Sequence, residues 1–239
     1  MMEHIHSKEH IRKVSEQLFG YEEKWITSLM TDVNAYNLFC NIDNEIFIRF
    51  GRVPTALLVA SAEKGDGRTS IAVLTAVLTA IHEPKKKVLL IDADTGYAGV
   101  SGIFGSAEGA KGLNDYFTGD AGFADCVLKS ALDNLHIIPA SVGGERKLKL
   151  SQDRFEEMIC TAQQDYGLIV VDSPAAGSNN DTASLAKIVG NVLFVVRYGG
   201  PKREQIASVI SEFARVNANI LGAVLNQRIY PLPKFVYAR

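Results

Sequence analysis

The chain has 239 residues, which suits one α/β domain with a full core. Its 47% hydrophobic and 22% charged content is that of an ordinary globular protein, and a net charge of −2 offers no global basic field for nucleic acid. Three scattered cysteines (Cys40, Cys126, Cys160) form no CxxC pair, which argues against a disulfide frame or zinc site and suits a reducing cytosol. No apolar run reaches the length of a membrane span, and the start, MMEHIHSKEHIRK, has no apolar signal core.

Residues 1–53 read as an N-terminal helical extension. Helices are expected over 11–18, 22–30 and 36–50, the last ending near Gly51 with Pro54 beyond. Packing against the core is the expected role, with docking on a partner or neighbouring subunit as the alternative. His4, His6 and His10 sit at a terminus and read as solvated rather than as ligands.

Residues 54–226 read as a nucleotide-binding domain organised around TALLVASAEKGDGRTS, residues 55–70. An apolar strand over 56–60 runs into Gly65, Asp66, Gly67, Arg68 and Thr69, and a helix over 71–81 follows. Strand, glycine loop, basic residue, hydroxyl, helix is the order of a P-loop, in which backbone N–H groups and the helix N-terminus cradle phosphates. The hydroxyl of Thr69 would sit on Mg²⁺. The basic position holds Arg68 where Lys is usual. Arg is a longer, planar fork, able to neutralise phosphate bidentately or too bulky for the space beside a γ-phosphate. The alternative is a glycine turn that binds nothing.

After the short polar break HEPKKK, the continuous apolar run 88–91 predicts a strand buried on both faces. It ends in Asp92-Ala93-Asp94, where open α/β sheets bind ligands. Two like charges on one face call for a nearby cation or proton, and Mg²⁺ is the economical one; the alternative is that both are ordinary loop acids past the strand end. Short helices are expected from Gly112 and over 123–128, a strand over 135–138, and an amphipathic helix over 154–164. The run 168–171 delivers Asp172-Ser173-Pro174, the form of a Walker B strand whose acid supports the magnesium shell. Pro174 ends it. A helix from Asp181, a strand over 191–196, a helix over 203–216 and a strand over 220–225 ending at Asn226 complete the alternation. The fold expected is α/β: a mostly parallel central sheet with helices on both faces. Residues 227–239 form a tail, QRIYPLPKFVYAR, whose prolines forbid a regular helix. It packs back on the domain or contacts a membrane-bound partner or an anionic surface.

The P-loop, IDAD and VDSP stand in one order. With LLIDADTGYA, GLNDYF, LHIIPAS, YGLIVVDSPA, Asp181-Thr182, the strand 195–198 with Gly199, and the closing segment 222–226, this chain resembles the bacterial tyrosine kinases of exopolysaccharide and capsule synthesis, the CpsD/CapB type, within the MinD/ParA-like P-loop ATPases. The match covers roughly residues 55–226. The resemblance implies ATP or ADP with Mg²⁺ as ligands. Gly65, Asp66, Gly67 and Arg68 would line the phosphates, Thr69 would ligate Mg²⁺, and Ser70 would help hold the α-phosphate. Asp92 and Asp172 would support the metal shell. Asp94 would help deprotonate an acceptor hydroxyl, and Asn226 with nearby backbone would contact adenine. It further implies a cytoplasmic protein recruited to the inner face of the membrane by the cytoplasmic segment of a polysaccharide co-polymerase (a chain-length determinant), with a homo-oligomer as one arrangement.

Four features depart from the family pattern. Arg68 replaces the loop Lys, and Thr95-Gly96-Tyr97 stands where RRP is usual. The C-terminal tyrosine cluster is missing, and the region upstream of the loop reads NAYNLFCNIDNE rather than ExxRxxR. Two readings follow: a kinase-like ATPase, or a degenerate nucleotide-binding module that docks on the same assembly. A MinD/ParA-like positioning ATPase ranks last, because the signature lysine of that group falls on Glu63 and Lys64 stands one residue too late.

Overall fold

The computed structural model describes residues 55–97, 99–104, 109–140, 150–178 and 181–227. The expected N-terminal helices, the terminal histidines and the C-terminal tail lie outside the described residues. No helix among those described is long and apolar enough to cross a membrane.

In chain order the elements are β1 (Ala56–Ser61), α1 (Arg68–His82), β2 (Val88–Asp92), α2 (Gly99–Phe104), α3 (Leu113–Thr118), α4 (Phe123–Cys126), β3 (Leu128–Lys129), β4 (Leu135–Ile138), α5 (Gln152–Asp165), β5 (Leu168–Asp172), a 3-10 turn (Ala176–Ser178), α6 (Asp181–Val189), β6 (Asn191–Arg197), α7 (Arg203–Arg215) and β7 (Asn219–Asn226). The strands form one sheet in the order β3-β4-β2-β5-β1-β6-β7. Every pairing is parallel except β3 with β4.

The continuous apolar runs are central strands because both faces of the sheet are covered. Val59, Leu90, Val170 and Val195 face α1, which buries Ile71, Leu74, Val77, Leu78 and Ile81 there. Leu58, Ile91, Val171 and Phe194 point the other way, against Phe155 and Met158 of α5, Leu185 of α6 and Phe213 of α7. Period-two alternation thus splits each strand between two cores.

Two elements differ from expectation. The helix expected over 123–128 stops at Cys126, and Leu128 and Lys129 turn back as the antiparallel edge strand β3. The six-residue α2 was not anticipated. Its Gly99 and Gly102 weaken any helical signal in the sequence, and burial of Val100 holds it.

The functional consequence is the strand order. β2 and β5 are neighbours, and β5 lies beside β1. The loop after β1 and the acids that end β2 and β5 therefore meet at the C-terminal edge of the sheet, the binding edge of open α/β sheets.

Candidate functional site

The loop after β1 turns on two left-handed glycines, Gly65 at φ +87° and Gly67 at φ +96°. L side chains rarely adopt this backbone region, so the loop's path requires glycine here. Gly67 has a second reason. A Cβ there would run into the side-chain amide of Asn226, which lies over the loop and donates to the Asp66 carbonyl at 2.9 Å. Gln227 donates to the Gly65 carbonyl at 3.3 Å. The end of β7, expected to contact adenine, is thus fastened to the loop itself.

Asp66 is fully buried. Its Oδ2 accepts the Glu63 backbone N–H at 3.0 Å, closing the loop across its own base. Its Oδ1 has no hydrogen bond and faces Arg197 Nε at 3.6 Å. Arg197 also lies 3.6 Å from the Glu63 carboxylate, which accepts from Gln205 at 3.0 Å. Sequence reasoning missed Arg197. The signal was available: a cation ending an otherwise apolar strand at the binding edge.

Arg68 opens α1 and turns its guanidinium inward, leaving 7% exposed. Nη1 donates to Ser61 Oγ at 2.7 Å and to the Glu63 carbonyl at 3.0 Å. Nε donates to the Ser173 carbonyl at 2.9 Å, and Nη2 lies 3.6 Å from Asp94 Oδ2. One side chain therefore ties the start of the loop, the residue after Asp172 and the turn after β2. A second tie runs outside, where Lys64 Nζ stands 4.2 Å from the centre of the Tyr97 ring.

The carboxylates end neighbouring strands, with Asp92 in register with Asp172. Both are fully buried. Asp92 is held by backbone: Oδ1 accepts from the Asp94 N–H at 3.2 Å, and Oδ2 from the Val100 N–H of α2 at 3.0 Å. Burial, then the Asp172 charge, still pushes its pKa well above the ordinary carboxylate range. Asp172 has neither oxygen within hydrogen-bond length of a partner. Burial raises its pKa to about 7 against the pull of the Thr69 hydroxyl and the Arg68 guanidinium. Asp94, expected on the same face as Asp92, sits past the strand end, and the cation beside it is Arg68.

Thr69 lies at the start of α1 next to this pair. Gly99 of α2 closes on it, with the Thr69 side chain 3.1 Å from where a Gly99 Cβ would stand. Ser70 follows Thr69 in the first turn of α1, half-buried. The loop, Thr69, Asp92, Asp94, Asp172 and Asn226 thus lie together at this edge of the sheet.

The donor set fits a phosphate group with a hard cation. A helix N-terminus and a glycine loop suit an anion. A desolvated carboxylate with no partner beside a hydroxyl suits Mg²⁺, which takes oxygen ligands and keeps several waters. Among the described residues, no three His, Cys, Asp or Glu side chains are grouped to hold a metal alone. An ion here would share its shell with phosphate and water.

The fold is the one seen in solved P-loop proteins of the MinD kind and in bacterial kinase domains. The structure of the septum site-determining protein MinD with Mg-ADP from Pyrococcus horikoshii superposes with a TM-score of 0.61 at 24% identity, covering 75% of each chain. The chimerical protein CapA2B2 gives a TM-score of 0.73 at 20% identity, over 90% of this chain and 91% of that one. By sequence the chain is similar to bacterial tyrosine-protein kinases named CpsD and Wzc. CpsD of Streptococcus agalactiae serotype III is 26% identical over 178 residues, 74% of this chain and 76% of that protein. Wzc of Salmonella typhi is 29% identical over 172 residues, 71% of this chain but 23% of Wzc. No protein-family model matches the chain.

Proposed function

We propose that the protein is an ATP-binding, kinase-like ATPase of exopolysaccharide or capsule synthesis that acts with a membrane polysaccharide co-polymerase. The observation that carries this is Asp172, a fully buried carboxylate with both oxygens unpartnered at the mouth of a glycine loop. A protein keeps such a costly group where a ligand completes it. The loop amides and the first turn of α1 hold the phosphates in this reading, and Thr69, Asp172 and Asp92 hold Mg²⁺. Bound Mg²⁺ would neutralise phosphate charge and draw electrons from the transferring group. Asp92 is oriented for its part by Asp94 and Val100 N–H bonds. The kinase names of these similar proteins support phosphoryl transfer as the chemistry.

One observation favours a second reading, a nucleotide-binding regulatory module of the same assembly. Arg68 stands at the loop's basic position, and its donors are engaged with Ser61, Glu63, Ser173 and Asp94. Release of ADP from Mg-ATP, assayed with phosphotyrosine formation on a co-polymerase segment, separates the two. Turnover that Asp172→Ala abolishes supports the enzyme. Binding without turnover supports the module.

A further inference from the structure

The structure assigns a selective role to Arg68. Its guanidinium bars the place of a third phosphate, so that the site prefers a nucleoside diphosphate to a triphosphate. This rests on nucleotide binding, which both readings above share, and it favours the regulatory module over the ATPase. In a P-loop the basic residue reaches toward the β- and γ-phosphates and the neighbouring hydroxyl takes the metal. The room for a terminal phosphate therefore lies between the loop and the strand ends that carry the acids. Arg68 spans that gap. It is anchored on the loop side by Ser61 Oγ and the Glu63 carbonyl, at 2.7 and 3.0 Å. It is anchored on the acid side by the Ser173 carbonyl at 2.9 Å and by Asp94 at 3.6 Å.

A lysine cannot make this bridge. Its single ammonium reaches one end of the gap, whereas a planar guanidinium with five donors holds both. Arg68 must surrender the Ser173 carbonyl and Asp94 before a terminal phosphate can enter, and the freed Asp94 carboxylate then repels that phosphate. A diphosphate needs only the loop amides and the start of α1, which leave the bridge standing. Loss of a hydrogen bond to a charged group weakens binding by about tenfold or more, so a preference of at least about tenfold is expected.

The test is isothermal titration of the full chain with Mg-ADP and with the non-hydrolysable triphosphate Mg-AMP-PNP. Wild type should bind the diphosphate at least about tenfold more tightly. Arg68→Lys should bring the two affinities within a few-fold, and Ser61→Ala, which loosens one anchor, should shift the ratio the same way by less. Ser61→Ala decides the matter if Arg68→Lys does not fold, as judged by its melting curve. Equal affinities in wild type, or a ratio that neither variant moves, overturn the inference while leaving nucleotide binding intact. Failure of either nucleotide to bind any of the three proteins overturns the nucleotide-binding reading and this inference with it.

Discussion

Two buried charges stand near one another in the site, and the protein treats them differently. Arg68 finds Ser61, Glu63, Ser173 and Asp94 within the chain. Asp172, at the end of the neighbouring strand, is equally buried and finds no hydrogen bond. Burying a charge is costly unless it is paired. The cation is therefore part of the folded scaffold, and the anion is held ready for something outside the chain.

Removing the anion gives the largest expected effect. Asp172 has its pKa raised from 3.8 to about 7. The folded state thus binds the proton more tightly than the unfolded chain, so stability is greatest in acid and is lost as pH rises from about 4 through about 7. The cost of holding this carboxylate charged is on the order of a few kcal/mol. Asp172→Asn should recover most of this at pH 8, measured by urea unfolding across the pH range, and should abolish magnesium-dependent nucleotide binding. An unchanged pH profile would show that Asp172 is not the strained group.

Removing the cation should act the other way. Arg68→Ala leaves Asp94 and the Ser173 carbonyl without their donor and should cost about 3 kcal/mol in the ligand-free protein. Opposite signs for Arg68→Ala and Asp172→Asn in one unfolding series would sharpen the contrast. Equal signs would break it.

Smaller effects are expected at the rim. Arg197→Ala removes the cation facing buried Asp66, and since Arg197 is itself over a third exposed, about 1 kcal/mol is expected. Because Asp66 closes the loop, the same change should weaken nucleotide binding several-fold in titration calorimetry, as no loss of an isolated surface pair would. Ser61→Ala removes one of the partners of Arg68 and should cost about 1 kcal/mol or less in thermal unfolding.

Much of the fold was legible because a strand buried on both faces writes itself as a continuous apolar run, as at Val88–Asp92 and Leu168–Asp172. β3 was not legible: two residues paired antiparallel at an edge carry no period. In the site, the glycines, Thr69 and Asp172 follow from local order along the chain. The destination of Arg68 does not, because Ser173 lies 105 residues away and only the β1–β5 pairing brings it close. The cation expected beside Asp92 and Asp94 illustrates the limit. The charge argument was sound for Asp94, and the group found there is Arg68 itself.

The most direct measurement is magnesium-dependent nucleotide binding, by titrating wild type and Asp172→Asn with ADP in Mg²⁺ and in EDTA at about pH 7.5, above the raised pKa of Asp172. Saturable binding in Mg²⁺ that weakens in EDTA, and that Asp172→Asn loses while remaining folded, is the predicted result. Identical isotherms for the two proteins, or no binding by either, would contradict the account that Asp172 is buried to complete a nucleotide–metal site.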